Sequence, residues 1–265
     1  MTQDKSARLL DNSRFYILAI SGLLSVATAS YLRLQISSDQ LYYIRTQQTF
    51  GLFCILYWYL ALIISPIGYV IGKRHIKQLE FARRAIGVTA AYFATVHAAI
   101  SLWGQLGGIS ELSLLPSLFK WSLAGGAISV LILLILAVTS LDKAIELMTY
   151  KKWNWLHRLV YGGLILAILH IWTIGSHLSY PKVQLVAFIA LSILAGLDIF
   201  RLTKLLNDKY LHLNKVEYAT LWFSMWAILL VIIACIPIFV EDYRSKHVEH
   251  RSHSEMEHTQ GETLD

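Results

Sequence analysis

The chain has 265 residues, of which 56% are hydrophobic and 15% are charged. Soluble domains carry about 25% charged and about 45–50% apolar residues, so this composition excludes an ordinary soluble protein. The net charge of +6 does not indicate nucleic acid, because the lysines and arginines stand at the ends of apolar runs, where membrane topology accounts for them. We therefore expect an integral membrane protein that contacts lipid and no nucleic acid.

Seven apolar runs predict seven transmembrane helices, since about 20 apolar residues in a helix cross the hydrocarbon core. The runs lie at roughly 15–35, 47–72, 85–105, 119–140, 154–176, 182–200 and 217–240. Because the connecting loops are short, consecutive helices should pack antiparallel. The predicted fold is an all-α integral membrane protein, an antiparallel bundle of six core transmembrane helices plus a seventh C-terminal span.

The positions of lysine and arginine predict the orientation of the spans. These residues collect on one side of the membrane, which the positive-inside rule assigns to the cytoplasm. The N-terminus is then cytoplasmic and the C-terminus lies outside. The predicted organisation is a cytoplasmic N-terminus (1–14), a transmembrane bundle (15–200), a cytoplasmic loop with the seventh span (201–240), and a tail (241–265).

The tail is polar, and its composition predicts disorder. It contains four histidines, His247, His250, His253 and His258. A histidine-rich tract is able to bind metal ions, but a solvated tail without a metal is the interpretation that this composition favours.

Three histidines lie inside predicted spans, where ionisable residues mark function by default. At 1.5 Å per residue, His97 lies roughly 20 Å and His170 roughly 27 Å along their helices from the cytoplasmic side, whereas His157 lies only roughly 8 Å in. His97 and His170 are therefore expected at similar depth in the outer half of the membrane. His157 is expected alone, nearer the cytoplasm.

Two neutral imidazoles that face each other from different helices at one depth suit the iron of haem b. Hydrogen bonding across helices and a proton relay are the alternatives that the spacing leaves open. Arg158 on the inner side is a candidate to pair with the haem propionates, as are three outer residues, Arg33, Tyr180 and Lys182. His157 and His170 are thirteen residues apart, which leaves them about 140° from a common helix face. A bulge near Gly162 and Gly163 would be needed to align them.

Two segments resemble ferric reductase-like transmembrane domains. ARRAIGVTAAYFATVHAAI (82–100) looks like the third helix of that family, with a basic pair before an intramembrane histidine. LAVTSLDKAIELMTYKKWNWLHRLVYGGLILAILHIW (136–172) looks like the junction of its fourth and fifth helices. The resemblance covers roughly residues 45 to 200. It implies a bundle in a bacterial inner (plasma) membrane that carries b-type haem and passes electrons across the membrane.

Carried over by position, the resemblance implies that His97, His157 and His170 are haem histidines. Members with two haems have a second histidine on the third helix, nearer the cytoplasm, where this sequence has Arg83 and Arg84. We therefore expect one haem, held by His97 and His170. A second haem at His157 stays open.

The sequence contains no G-x-G-x-x-G segment, and only residues 241–265 follow the last predicted span. Electrons are thus expected from a separate flavoprotein or from quinol, with FMN or quinone as further candidate cofactors, and a periplasmic reductase is a candidate acceptor. The predicted function is a haem-containing oxidoreductase component without its own flavin domain. Two alternatives are a ferric or cupric reductase that uses the histidine-rich tail, and a proton-coupled transporter without haem.

Overall fold

The computed structural model describes the backbone of residues 2–71, 73–175 and 180–261, and the side chains of residues 14–71, 82–175 and 180–241. Within these ranges the chain is helical and contains no β-strand. Seven helical segments in the described part are long and apolar enough to cross a membrane: Arg14–Gln35, Asp39–Ile71, Ala82–Gln105, Ser117–Val138, Tyr150–Ile174, Pro181–Leu211 and Lys215–Glu241. The predicted all-α integral membrane protein with seven spans is confirmed.

The α-helices of the described ranges are α1 (Thr2–Gln35), α2 (Asp39–Ile71), α3 (Lys73–Ala99), α4 (Ser117–Val138), α5 (Asp142–Leu147), α6 (Tyr150–Leu156), α7 (Leu159–Ile174), α8 (Pro181–Leu206) and α9 (Lys215–Gly261). Short π-helical turns extend α3 over Ile100–Gln105 and α8 over Asn207–Leu211. The second and sixth spans are longer than their apolar runs, because their helices continue into polar sequence beyond the hydrocarbon core.

The chain divides into two compact units, Met1–His170 and Ile171–Asp265. In the first unit α3 is central and packs against α1, α2 and α4. Helix α2 buries a stripe with four-residue spacing, which consists of Thr46, Phe50, Cys54, Trp58 and Leu62. Phe93 of α3 is fully buried, and its ring meets those of Phe50 and Tyr57. This spacing places one face of α2 against α3 along most of the span.

Helices α4 and α7 approach closely at Gly163. The Ser129 hydroxyl of α4 donates a hydrogen bond of 2.9 Å to the Gly163 carbonyl. A Cβ atom at Gly163 would lie 3.2 Å from side-chain carbons of both Ile132 and Trp58. The absence of a side chain at this position therefore lets α7 pack against α2 and α4 at once.

In the second unit an aromatic seam holds α9 against α8. The indole N–H groups of Trp222 and Trp226 donate to the carbonyl oxygens of Gly196 and Ser192, at 3.0 and 3.1 Å. Their rings are stacked with centres 5.5 Å apart. The seventh span is thus attached to α8 by directed hydrogen bonds as well as by apolar contact.

Helix α9 extends to Gly261, through the segment whose composition predicts disorder. The tail histidines lie outside the residues whose side chains are described, so metal binding by the tail stays a prediction.

We expect Gly163→Ala to destabilise the protein by about 1–3 kcal/mol, because the added methyl group overpacks a filled site. Gly162→Ala is the matched control, since a Cβ atom there meets nothing within 4 Å and alanine favours the helix. Thermal unfolding in detergent, followed by tryptophan fluorescence, compares the two variants. Equal midpoints for both would contradict the packing argument.

Candidate functional site

The two outer intramembrane histidines come together in the first unit. The rings of His97, near the end of α3, and His170, on α7, have centres 6.4 Å apart and planes 86° apart. Both side chains are half-buried. The sequence predicts these two histidines at similar depth on different helices, and the structure places their rings next to each other in an edge-to-face arrangement.

Backbone carbonyl groups hold the two rings from opposite sides. His97 Nδ1 lies 2.6 Å from the Gln47 carbonyl oxygen of α2, and His170 Nδ1 lies 2.9 Å from the Ser122 carbonyl oxygen of α4. A carbonyl oxygen only accepts hydrogen bonds, so Nδ1 is the protonated nitrogen of each ring. Both Nε2 atoms therefore keep their lone pairs, which are available to a metal ion.

The spacing of the rings fits a metal ion between them. Two imidazoles that bind one ion from opposite sides place their ring centres about 6 Å apart, because each metal–nitrogen bond is about 2 Å long. The observed 6.4 Å agrees with this distance. Among the described residues no group of three or more His, Cys, Asp or Glu side chains is arranged to hold a metal ion. The geometry at this point offers two imidazoles, and histidine is a ligand of haem iron in many proteins.

The local backbone changes directly after His97. The α-helical pattern gives way at Ile100 to a π-helical turn that ends at Gln105. Such turns occur frequently at functional sites, because the extra residue rotates the chain relative to the preceding helix. The Gln105 side chain then accepts a 2.8 Å hydrogen bond from the Gln47 side-chain amide. This contact ties the end of the turn to the residue whose carbonyl binds His97.

His157 lies in a different environment, between α6 and α7. Its Nε2 atom is 3.3 Å from the Thr139 hydroxyl oxygen, and its ring lies against Trp153 with centres 4.1 Å apart. The Thr139 hydroxyl already donates its proton to the Ile135 carbonyl at 2.8 Å, so it accepts from His157. Nε2 is therefore the protonated nitrogen of His157, the reverse of the outer pair.

A break in the helix, and not a bulge, interrupts the fifth span. Helix α6 ends at Leu156 and α7 begins at Leu159. The amide groups of Arg158 and Val160 bond to carbonyls three residues earlier, as in a tight turn. The bulge near Gly162 and Gly163 that would align the two histidines is not formed, because both residues lie within regular α7. The helix is interrupted at His157 itself, and Arg158 is exposed beside it.

An ionic cluster closes this inner end of the first unit. Asp142, the first residue of α5, accepts from Arg14 of α1 and Arg84 of α3, both at 2.8 Å. The Arg84 guanidinium also lies over the Trp153 ring, 5.8 Å from its centre. The hydrogen bond from Arg14, supported by Arg84, lowers the pKa of the Asp142 carboxyl below its ordinary value. The cluster thus links three chain segments around the contact between Trp153 and His157.

Several residues contribute to the site in a way that their residue type does not reveal. Gln47 and Ser122 act through backbone carbonyls, which every residue has. Trp153 does lie four residues before His157, a spacing that places two side chains on one helix face and that could have indicated their contact. The outer propionate candidate Arg33 is paired with Asp39 at 2.6 Å. The roles of His97, His157, His170 and Arg158 as cofactor ligands stay predictions at this point.

Comparison with known proteins defines the class. Residues 46–168 match the family model of the ferric reductase like transmembrane component. This range includes His97 and His157 and ends two residues before His170. The predicted resemblance is confirmed, and the protein is an all-α integral membrane protein with a ferric reductase-like transmembrane segment.

The individual relatives share one name, "protein-methionine-sulfoxide reductase heme-binding subunit MsrQ". The chain is 27% identical to that of Ralstonia nicotianae over 143 residues, which are 53% of this chain and 63% of the relative. It is 36% identical to that of Herminiimonas arsenicoxydans over 92 residues, 34% of this chain and 41% of the relative. It is 32% identical to that of Deinococcus radiodurans over 130 residues, 48% of this chain and 60% of the relative.

The chain thus spans between 41% and 63% of the length of these relatives. No solved structure matches the chain.

We expect Asp142→Asn to lower stability at neutral pH by about 1 kcal/mol or less for each exposed ion pair that is lost. The pKa of Asp142 is lowered in the folded state, so its stabilisation is complete above the unfolded pKa and is lost as the pH falls through the folded pKa. Thermal midpoints of both proteins should therefore differ at pH 7 and converge in acid. A difference that stays constant down to strongly acidic pH would argue against the ion pairs as its cause.

Proposed function

We propose that this protein is a haem-binding membrane subunit that carries electrons to an acceptor on the outer side of the membrane. One observation carries the proposal: His97 and His170 face each other 6.4 Å apart, with both Nδ1 atoms bound to carbonyl groups. The ferric reductase-like segment and the relatives named as haem-binding subunits support it.

His97 and His170 would hold the iron of b-type haem through their Nε2 atoms. The bound group supplies one-electron chemistry, because its iron alternates between the ferric and ferrous states. Each Nε2 atom would contribute a lone pair, and each Nδ1–H would keep its carbonyl partner. The polar imidazoles are then fully satisfied inside the membrane, which removes the cost of burying them.

The surrounding residues orient the ligands and exclude water. Phe93 lies one helical turn before His97, and its ring meets the rings of Phe50, Phe53 and Tyr57. These rings make a dry aromatic layer on the cytoplasmic side of His97. A low dielectric there strengthens the hydrogen bonds of the imidazoles and keeps solvent from the metal site.

The donor is a separate cytoplasmic flavoprotein or quinol, in this proposal, and FMN or quinone is a further candidate cofactor. A periplasmic reductase is the proposed acceptor, since the relatives are named as subunits of a protein-methionine-sulfoxide reductase. The proposed location is a bacterial inner membrane, with one haem in the outer half. In this proposal His157 has a positioning role at the cytoplasmic end of the bundle, where its Nε2 atom is hydrogen-bonded to the Thr139 hydroxyl group.

A reduced-minus-oxidised absorption spectrum of the purified protein tests the proposal. After expression with added haem precursor we expect the Soret and α-bands of low-spin b-type haem, because two imidazole ligands give that spin state. Absence of these bands under haem-replete expression would overturn the proposed function.

Histidine variants locate the ligands. His97→Ala and His170→Ala should each abolish the low-spin bands, because each removes one axial ligand. His157→Ala is the matched control within the same span, and it should keep both the bands and a haem-to-protein ratio of one. Loss of half of the haem in His157→Ala would instead show a second haem.

The proposed orientation predicts the labelling of single cysteines by a membrane-impermeant maleimide. In cells whose outer barrier is permeabilised, Ser110→Cys should react, because it is exposed between α3 and α4 on the predicted outer side. Lys143→Cys, exposed near α5, should react only after the inner membrane is disrupted. The background protein lacks Cys54 and Cys235, and the reversed labelling pattern would reverse the topology.

A further inference from the structure

The same local arrangement occurs on both sides of the histidine pair. On α2 the Gln47 carbonyl accepts from His97, and the residue four positions later is Gly51. On α4 the Ser122 carbonyl accepts from His170, and the residue four positions later is Gly126. Two different helices thus present a carbonyl followed at the same interval by glycine.

Helix geometry explains why the interval is four. Side chains in an α-helix point back towards the N-terminus, so the side chain at position i+4 covers the surface beside the carbonyl of residue i. That carbonyl already accepts the amide of residue i+4 and has a second lone pair for an outside donor. Glycine at i+4 leaves the approach to this lone pair open.

The distances show that the space is filled by the imidazoles. A Cβ atom on Gly51 would lie 2.9 Å from His97 Nδ1 and 3.1 Å from its Cε1. A Cβ atom on Gly126 would lie 2.8 Å from His170 Nδ1 and 3.1 Å from its Cγ. These separations are shorter than van der Waals contact. Alanine at either position therefore has to displace the ring away from its carbonyl partner.

Other glycines in the same helices do not share this property. A Cβ atom on Gly125, the direct neighbour of Gly126, would have its nearest contact at 3.9 Å, with the Leu166 carbonyl oxygen. A Cβ atom on Gly162 of α7 would meet nothing within 4 Å. Close ring contacts also occur at other glycines, since a Cβ atom on Gly104 would lie 2.8 Å from the Tyr43 ring, but among the described residues a histidine ring comes this close only at Gly51 and Gly126.

We propose that Gly51 and Gly126 are positioning residues, which open two backbone carbonyls to the imidazoles and thereby set the tautomer, the ring orientation and the donor strength of both iron ligands. The inference rests on the proposed function. A hydrogen bond from Nδ1 to a carbonyl raises the basicity of the imidazole at Nε2. A more basic ligand stabilises ferric iron relative to ferrous iron, so the two glycines hold the midpoint potential of the site down.

The test compares Gly51→Ala and Gly126→Ala with Gly125→Ala in the purified, haem-loaded full chain. For the first two variants we expect a higher midpoint potential, altered g-values in the electron paramagnetic resonance spectrum of the ferric form, and about 10–100-fold weaker haem affinity, the range seen when a ligand loses its outer partner. Gly125→Ala should match the wild type in all three. Unchanged potential and g-values in both Gly51→Ala and Gly126→Ala would overturn the proposal.

A double-mutant cycle covers the case in which an alanine variant folds poorly. If the cost of Gly51→Ala arises from the His97 ring, the substitution should lose most of its effect on the thermal midpoint in a His97→Ala background. Gly126→Ala should behave in the same way in a His170→Ala background. An equal cost in both backgrounds would assign the glycines to helix packing and overturn the proposal.

The two failures are distinguishable. A wild-type protein without haem contradicts the proposed function, whereas the cycle measures coupling between glycine and histidine on the chain alone. Haem binding with a normal spectrum, combined with alanine variants that match the wild type, contradicts only the role of the glycines.

Discussion

An imidazole N–H group inside a bilayer has no water to bind, so it must find an acceptor within the protein. In the helices of the first unit nearly every carbonyl is already engaged along its own helix, and a small covering side chain makes it easier for a second donor to reach it. The outer histidines find such acceptors on two separate helices, at the carbonyls of Gln47 and Ser122. This constraint decides which ring nitrogen is protonated, and it leaves Nε2 of each ring with its lone pair.

The same need for a hydrogen-bond acceptor is met differently around the outer histidines and around His157. Small hydroxyl side chains such as Ser21, Ser25 and Thr95 solve it locally, by donating to the carbonyl four residues earlier. Thr139 does so as well and is thereby left as an acceptor for Nε2 of His157. Both histidines of the outer pair therefore keep the lone pair on Nε2, whereas His157 directs its Nε2 proton to Thr139 at the end of α4. Histidine thus has two different roles in the fifth span: His170 binds a carbonyl through Nδ1, and His157 binds a hydroxyl through Nε2.

The sequence predicts those features of the fold and the site that depend on composition and on the rise per residue of an α-helix. The seven spans follow from apolar length, and the common depth of His97 and His170 follows from counting along two helices. The break in the helix of the fifth span is not indicated by the sequence. Glycine pairs suggest a bulge, but the chain breaks at His157, where the tight turn is stabilised by backbone bonds and by the contact with Trp153. Backbone carbonyl partners escape prediction altogether, because every residue carries the same group.

The inner end supports the proposal of one haem in preference to two. Arg84 lies on α3 thirteen positions before His97, where the resemblance to ferric reductase-like domains implies a histidine in proteins with two haems. A guanidinium has no lone pair to donate and stays charged, so it cannot replace imidazole as an iron ligand. Here it is held by Asp142 and lies over Trp153, whose ring in turn covers His157. A planar macrocycle at this position would have to displace that ring and break the bond between His157 and Thr139. Arg84, which occupies the position where a second haem would need a histidine, therefore also stabilises the contact between Trp153 and His157.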